Sequence, residues 1–144
     1  MTPYNMERIK FDAYEQGAEI PELQVGPVTH MDLVRYSGAS GDFNPIHTDP
    51  DYAKEAGLPG TIAHGMYVMA QLGRVATNWA PPNQIESFGV KFKGMTLPGE
   101  TVSCSGKVKR KKEADGKKLL TVALEAKGPD GKARVAGEIV VACD

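Results

Sequence analysis

With 144 residues, 41% of them hydrophobic and 24% charged, the chain is long enough for one core and too short for two ordinary domains, so a single domain over 1–144 is expected. A formal charge of -1 and a pI near 6.3 give no reason to expect nucleic acid or an anionic membrane as a partner. The sequence holds no apolar run of about 18 residues, and its opening MTPYNMERIKFDAYEQG lacks the apolar centre of a signal peptide, so a cytoplasmic protein without membrane contact is expected.

In chain order, the opening twenty residues are predicted to lie along the body as an arm or strand, with Ile9, Phe11 and Tyr14 as contacts. Leu23 to Val28 alternates apolar with polar and reads as a short strand. Thr29 is a good N-cap for a helix carrying Met31, Leu33, Val34 and Tyr36 as its apolar stripe, with His30 an exposed first-turn residue. That helix ends in Ser37 to Gly41. Asp49-Pro50, a capping carboxylate before a proline at the first helical position, starts a short helix that ends at Gly57.

From about Ile62 to Trp79 the chain is apolar nearly all round, broken only by Gln71, Arg74 and Asn78. A helix apolar on every face must be buried on every face, which a short chain achieves by wrapping a sheet around it. Gly73 within it costs roughly 1 kcal/mol against alanine and points to close packing. After Pro81-Pro82 come four predicted strands, Ile85 to Lys93, Thr101 to Lys111, Lys118 to Ala126 and Ala133 to Ala142. Pro98-Gly99, Asp115-Gly116 and Pro129-Asp130-Gly131 between them read as hairpin turns. Cys104 and Cys143 fall within these strands and are expected to stay reduced.

The chemistry lies in the corner between the first two helices, Ser40 to Asp49 (S-G-D-F-N-P-I-H-T-D). Pro45 fixes its own φ and pushes Asn44 out of the helical region, so the chain must turn there. Such a turn can aim Asp42 and His47 at one point. A histidine that titrates near neutrality beside a carboxylate can exchange protons with a bound water. The same run also makes an ordinary surface turn with side-chain caps, the reading preferred for Ser40 and Asp49. Phe43 and Ile46 inside the turn predict a packed corner. His64-Gly65 then interrupts the polarity pattern at the head of the apolar helix.

These residues, Tyr36 to Asp49 followed by Ala63-His64-Gly65-Met66, resemble the hydratase motif of the MaoC-like family, which includes (R)-specific enoyl-CoA hydratases and (3R)-hydroxyacyl-ACP dehydratases. The chain resembles in particular the catalytic subunit of the mycobacterial type, and the likeness runs from about Leu23 to the C-terminus. The resemblance implies an α+β hot dog fold, an antiparallel sheet of about five strands wrapped round a long central helix. It also implies reversible hydration of trans-2-enoyl thioesters of coenzyme A or acyl carrier protein, with Asp42 and His47 as the catalytic pair. The Gly65 amide would donate to the thioester carbonyl, and no cofactor is implied.

The residues agree with that chemistry. Hydration needs an activated water, a proton for C2 and a donor to the enolate oxygen; the amide of Gly65, in the first turn of the central helix, suits the last. Which proton Asp42 and His47 each handle is open at this point. Asn44 either orients the pair or serves the turn, and His64 is read as a buried support at the helix start, with Met66 beside it. A metal at Asp42, His47, Asp49 and His64 lacks any recognised ligand spacing, so none is expected.

Three readings compete. A thioester hydrolase shares the hot dog fold but not the Asp-x-Asn-Pro-x-His corner. A non-catalytic subunit of a heterodimeric dehydratase would lack the Asp/His pair that this chain keeps. The basic run Lys107 to Lys118 is either a docking site for an acidic carrier or coenzyme A phosphates, or a solvated hairpin whose lysines blunt an edge. About five strands cover only part of an all-round apolar helix, so a homodimer, or a heterodimer with a related hot dog subunit, is expected.

Overall fold

The computed structural model describes residues 7–144, so the first six residues of the expected arm lie outside it. From there Ile9 and Phe11 are buried and Tyr14 half-buried against the body, and Trp79 donates to the Tyr14 hydroxyl at 2.9 Å. Strand β1 spans Glu19–Val25, earlier than the predicted Leu23 to Val28. The predicted start was late because of Pro21: it lacks an N–H, and the register against the neighbouring strand shifts between Ile20 and Leu23.

Helix α1 spans His30–Ser40 and opens in a capping box, Thr29 accepting from Asp32 N while the Asp32 carboxylate accepts from Thr29 N. Its buried residues are Leu33 and Ser37, one turn apart; Met31 and Val34 of the predicted stripe are exposed. A 3₁₀ turn at Pro45–His47 leads to α2, Pro50–Glu55, which Asp49 caps by accepting from Asp51 N and Tyr52 N. Helix α3 covers Gly65–Trp79, three residues shorter at its start than predicted, because His64, with non-helical backbone, is its N-cap.

The remaining strands are β2 (Ile85–Phe92), β3 (Val102–Ala114), β4 (Lys117–Lys127) and β5 (Ala133–Cys143). All pair antiparallel in the order β1-β3-β4-β5-β2. Only β3–β4 and β4–β5 are hairpins. The predicted β2–β3 hairpin is instead a crossover, β2 lying on β5 at one edge and β3 beside β1 near the other. Residues 93–101 make that crossing and are tied down along it. Lys93 N and Gly94 N donate to Arg134 O, Ala63 N donates to Thr96 O, and Val28 N donates to Glu100 O. The Arg134 side chain, buried beneath, pairs with Glu100 at 3.5 Å and Asp130 at 3.0 Å.

Helix α3 touches every strand, and Val68, Leu72, Val75, Ala76 and Trp79 join Ile20, Cys104, Val122, Leu124 and Ile139 in one core. Each fully buried leucine there contributes about 2 kcal/mol of transfer free energy. This is the hot dog architecture the motif implied. Enclosure of α3 is one-sided, however: Met66, Ala70, Arg74 and Thr77 form an outward stripe open to solvent. A groove lined by Ala70, Gly73, Thr77, Ile85, Phe88 and Ile139 runs along that side, with the Phe88 ring against Gly73. No helix among the described residues is long and apolar enough to cross a membrane.

Candidate active site

The corner is built by short-range capping. Gly41 closes α1 in the left-handed region at φ 77°, donating to Ser37 O, a conformation glycine adopts without strain. Ser40 Oγ donates to Tyr36 O at 2.7 Å and accepts from Asp42 N, which is the capping role expected of it. Asp42 Oδ1 then accepts from Asn44 N, and Asn44 Oδ1 accepts from Ile46 N, both at 3.2 Å. Asn44 Oδ1 thus serves the turn, one of the two roles read for this residue. Phe43 is 69% exposed, so the corner is held by these hydrogen bonds and not by packing of that ring.

The turn delivers His47, buried, against the segment leading into α3. Its Nδ1 lies 2.7 Å from Ile62 O. A carbonyl only accepts, so Nδ1 carries the hydrogen and Nε2 presents its lone pair. That lone pair faces Asp42 Oδ2 at 3.7 Å, too far for a direct hydrogen bond and close enough for one water to touch both. Asp42 is half exposed, so the pair lines a surface that solvent reaches.

His64 lies behind this pair. Its ring stacks on His47 with centroids 3.7 Å apart and planes 20° from parallel, and Nε2 lies 3.1 Å from Ser37 Oγ and 3.3 Å from Asp42 O. Tyr36 packs edge-on against it at 4.8 Å and against Tyr67 at 5.5 Å. Burial holds the His64 imidazole below the ordinary histidine range; the hydrogen bond to Asp42 and its carboxylate oppose the shift, and a charge on His47 adds to it. The His64 carbonyl accepts from Tyr67 N and Val68 N, so the amides of Gly65 and Met66 lead the helix without intrahelical acceptors.

The structure thus brings together Asp42, His47, His64 and the head of α3 at Gly65, while Met66 points outward, 55% exposed. Sequence reasoning missed three contributors. Ser37 was legible as the i+4 neighbour of Leu33 on the buried face of α1. The Ile62 carbonyl is main chain and carries no residue signal. Phe92, at the end of β2, lays its ring over Gly65, where an added Cβ would come within 2.9 Å of it; nothing local announces a contact between residues so far apart.

Asp42, His47 and His64 offer donor atoms within 4.8 Å of one another. The stacked rings, however, hold their in-plane lone pairs in nearly parallel planes and do not converge on one ion. Cys104 and Cys143 are free, and burial pushes the Cys104 thiol up to about 11, which leaves it inert as a nucleophile.

A family model described as "MaoC like domain" matches residues 15–128. The chain belongs to the MaoC-like family. Among curated relatives, the fatty acid synthase subunit beta of Aspergillus oryzae is 37% identical over 105 residues, 71% of this chain and 5% of that protein. The enoyl-CoA hydratase ChsH3 of Mycobacterium tuberculosis is 31% identical over 87 residues, 58% of this chain and 30% of that protein. The chain therefore spans a small part of the curated relatives it matches. Among solved structures, the ChsH1-ChsH2 complex from M. tuberculosis superposes with a TM-score of 0.76 at 26% identity, over 90% of this chain and 98% of the matched one. This MaoC-like chain thus shares a whole-chain architecture with a two-component relative.

The lowered His64 predicts a pH dependence of folding. The unfolded chain takes up a proton at the ordinary histidine value, about 6.5, while the folded ring takes one up only at lower pH. Stability is therefore expected to be level above that value and to fall as pH drops below it. Urea midpoints at pH 7.5 and 5.5 test this, and His64→Phe should narrow the difference.

Proposed function

We propose that this MaoC-like chain is a hydro-lyase that reversibly hydrates trans-2-enoyl thioesters, of coenzyme A or acyl carrier protein, to (3R)-3-hydroxyacyl thioesters. The observation that carries this reading is the placement of the His47 Nε2 lone pair opposite Asp42 Oδ2 at 3.7 Å, beside the free amides at the head of α3. Kinship with an enoyl-CoA hydratase supports it.

Water sits between Nε2 and Oδ2. As its oxygen bonds to C3, its proton passes to Nε2, and the C2–C3 electron pair moves onto the thioester oxygen as an enolate. The Gly65 amide, aided by the positive end of α3, donates to that oxygen. The pair then returns to C2, which takes the proton from Nε2, so water adds across one face and the site is restored. Asp42 orients the water and stabilises the imidazolium formed in passing. A thioester hydrolase would need water aimed at the carbonyl carbon instead of C3, and kinship with an enoyl-CoA hydratase favours C3. Free thiols such as Cys104 and Cys143 suit a reducing, cytoplasmic setting.

Asp42→Asn and His47→Ala are each expected to lower turnover by roughly 10²–10⁴ with the fold intact, followed as loss of enoyl-thioester absorbance with crotonyl-CoA and longer substrates. The double variant should be little worse than the poorer single one, because the two act as a unit. Near-parental turnover in either would sink the assignment, and thioester cleavage in place of hydration would favour the hydrolase.

Gly65→Val is expected to cost roughly 10² in rate by crowding the thioester and displacing the amide. The Phe92 ring must also move to admit the side chain. Melting temperature measured alongside separates the causes: activity lost in proportion to stability would point to packing.

We further propose that the working unit is a dimer, of this chain with itself or with a related hot dog subunit. The open stripe of α3, the Phe88 groove and the β2 edge form one continuous surface that a second sheet edge would cover. Phe92 and Met95, exposed beside the site, would then border the acyl chain. Light scattering on the purified protein decides between them: a stable, active monomer of 15.5 kDa refutes the dimer, and activity that appears only with a homologous partner favours the heterodimer.

A further inference from the structure

The proton path uses His47 and Asp42 and leaves His64 without a part, although it is 2% exposed and in face-to-face contact with His47. Its own hydrogen bonding limits what it can be. Asp42 O only accepts, so a hydrogen on Nε2 is served by that carbonyl and by Ser37 Oγ. Nδ1 is buried and has no partner among the described residues, so a hydrogen there would be a buried donor with nothing to receive it. A doubly protonated ring would need both. His64 is thus neutral, with its hydrogen on Nε2.

The groups around it agree. From α1 it meets Tyr36 and Ser37, from the corner Asp42, from the 3₁₀ turn His47, and from α3, beyond Tyr36, Tyr67. Asp42 is the one carboxylate among them, and its half-exposed side chain is screened by water.

We propose that His64 is a positioning residue that acts through His47, its neutral ring being the face against which the His47 imidazolium is held while Nε2 carries the proton taken from water. A cation over an aromatic face at this distance is attracted to it, whereas a second imidazolium there would repel it. The hydrogen bond to Ile62 O holds His47 within its ring plane, and the stack holds it perpendicular to that plane. His64 itself exchanges no proton. The proposal rests on the hydratase reading for its catalytic consequence, but the interaction between the rings does not.

The test compares His64→Leu with His64→Phe. Both lose the contacts to Ser37 and Asp42, and only phenylalanine keeps an aromatic face. Ring resonances of His47 followed by NMR across pH should show its titration midpoint falling by about half a pH unit in the leucine variant and holding in the phenylalanine variant. With crotonyl-CoA, kcat should fall about tenfold in the leucine variant and less in the phenylalanine one, with KM within about twofold in both. In the unaltered protein His64 should remain neutral through the pH range in which His47 titrates, a measurement that needs no variant to fold. Equal shifts in the two variants, no shift in either, or a protonated His64 beside a neutral His47 would overturn the proposal. Absence of hydratase activity in the unaltered protein, with the NMR shifts as expected, would instead overturn the hydratase reading and leave the coupling of the rings standing.

Discussion

The 2.7 Å hydrogen bond from His47 Nδ1 to the carbonyl of Ile62 is the constraint on which the site depends. It joins a corner made by local turn chemistry to the segment that launches α3, which local chemistry alone would leave independent. It also decides the tautomer, and with it which nitrogen faces Asp42. A second tie, Ala63 N to Thr96 O, fixes the other side of the same segment to the crossover between β2 and β3. Between these two bonds, the first residues of α3 are held in place before any substrate arrives, so the cost of organising donors is met on folding.

Much of the corner was legible because its causes are local. The Asp49-Pro50 start, the Thr29 cap and the turn at Asn44-Pro45 each depend on one residue's hydrogen bonds to neighbours two or three positions on, and the structure shows them as read. The α1 stripe was less legible. Met31 and Val34 are apolar yet exposed, and Ser37 is polar yet buried, because the face of α1 is set by what it packs against, here His64, and not by its own composition.

The connection between β2 and β3 was the main error in topology, and its origin is physical. Pro98-Gly99 serves a crossover as readily as a hairpin, since a turn bends the chain without choosing its partner. The choice belongs to β5, which pairs with β2 through residues 43 to 56 positions distant in sequence, as between Phe92 and Val135 or Ile85 and Val141. The one-sided burial of α3 has a related cause. An apolar stripe on a sequence says that something covers it, without saying whether the cover belongs to the same chain.

The acceptor that orients His47 is main chain, and this makes the site respond unevenly to change over generations. Side chains other than proline at position 62 leave the Ile62 carbonyl in place, so most point substitutions there pass the base by; proline would remove the N–H that donates to Ile46 O. A residue gained or lost between Gly57 and Thr61, or within 93–101, would rotate or shift that carbonyl by a peptide's length and release the imidazole. Drift in sequence is therefore cheap on this side of the corner, while drift in loop length is not.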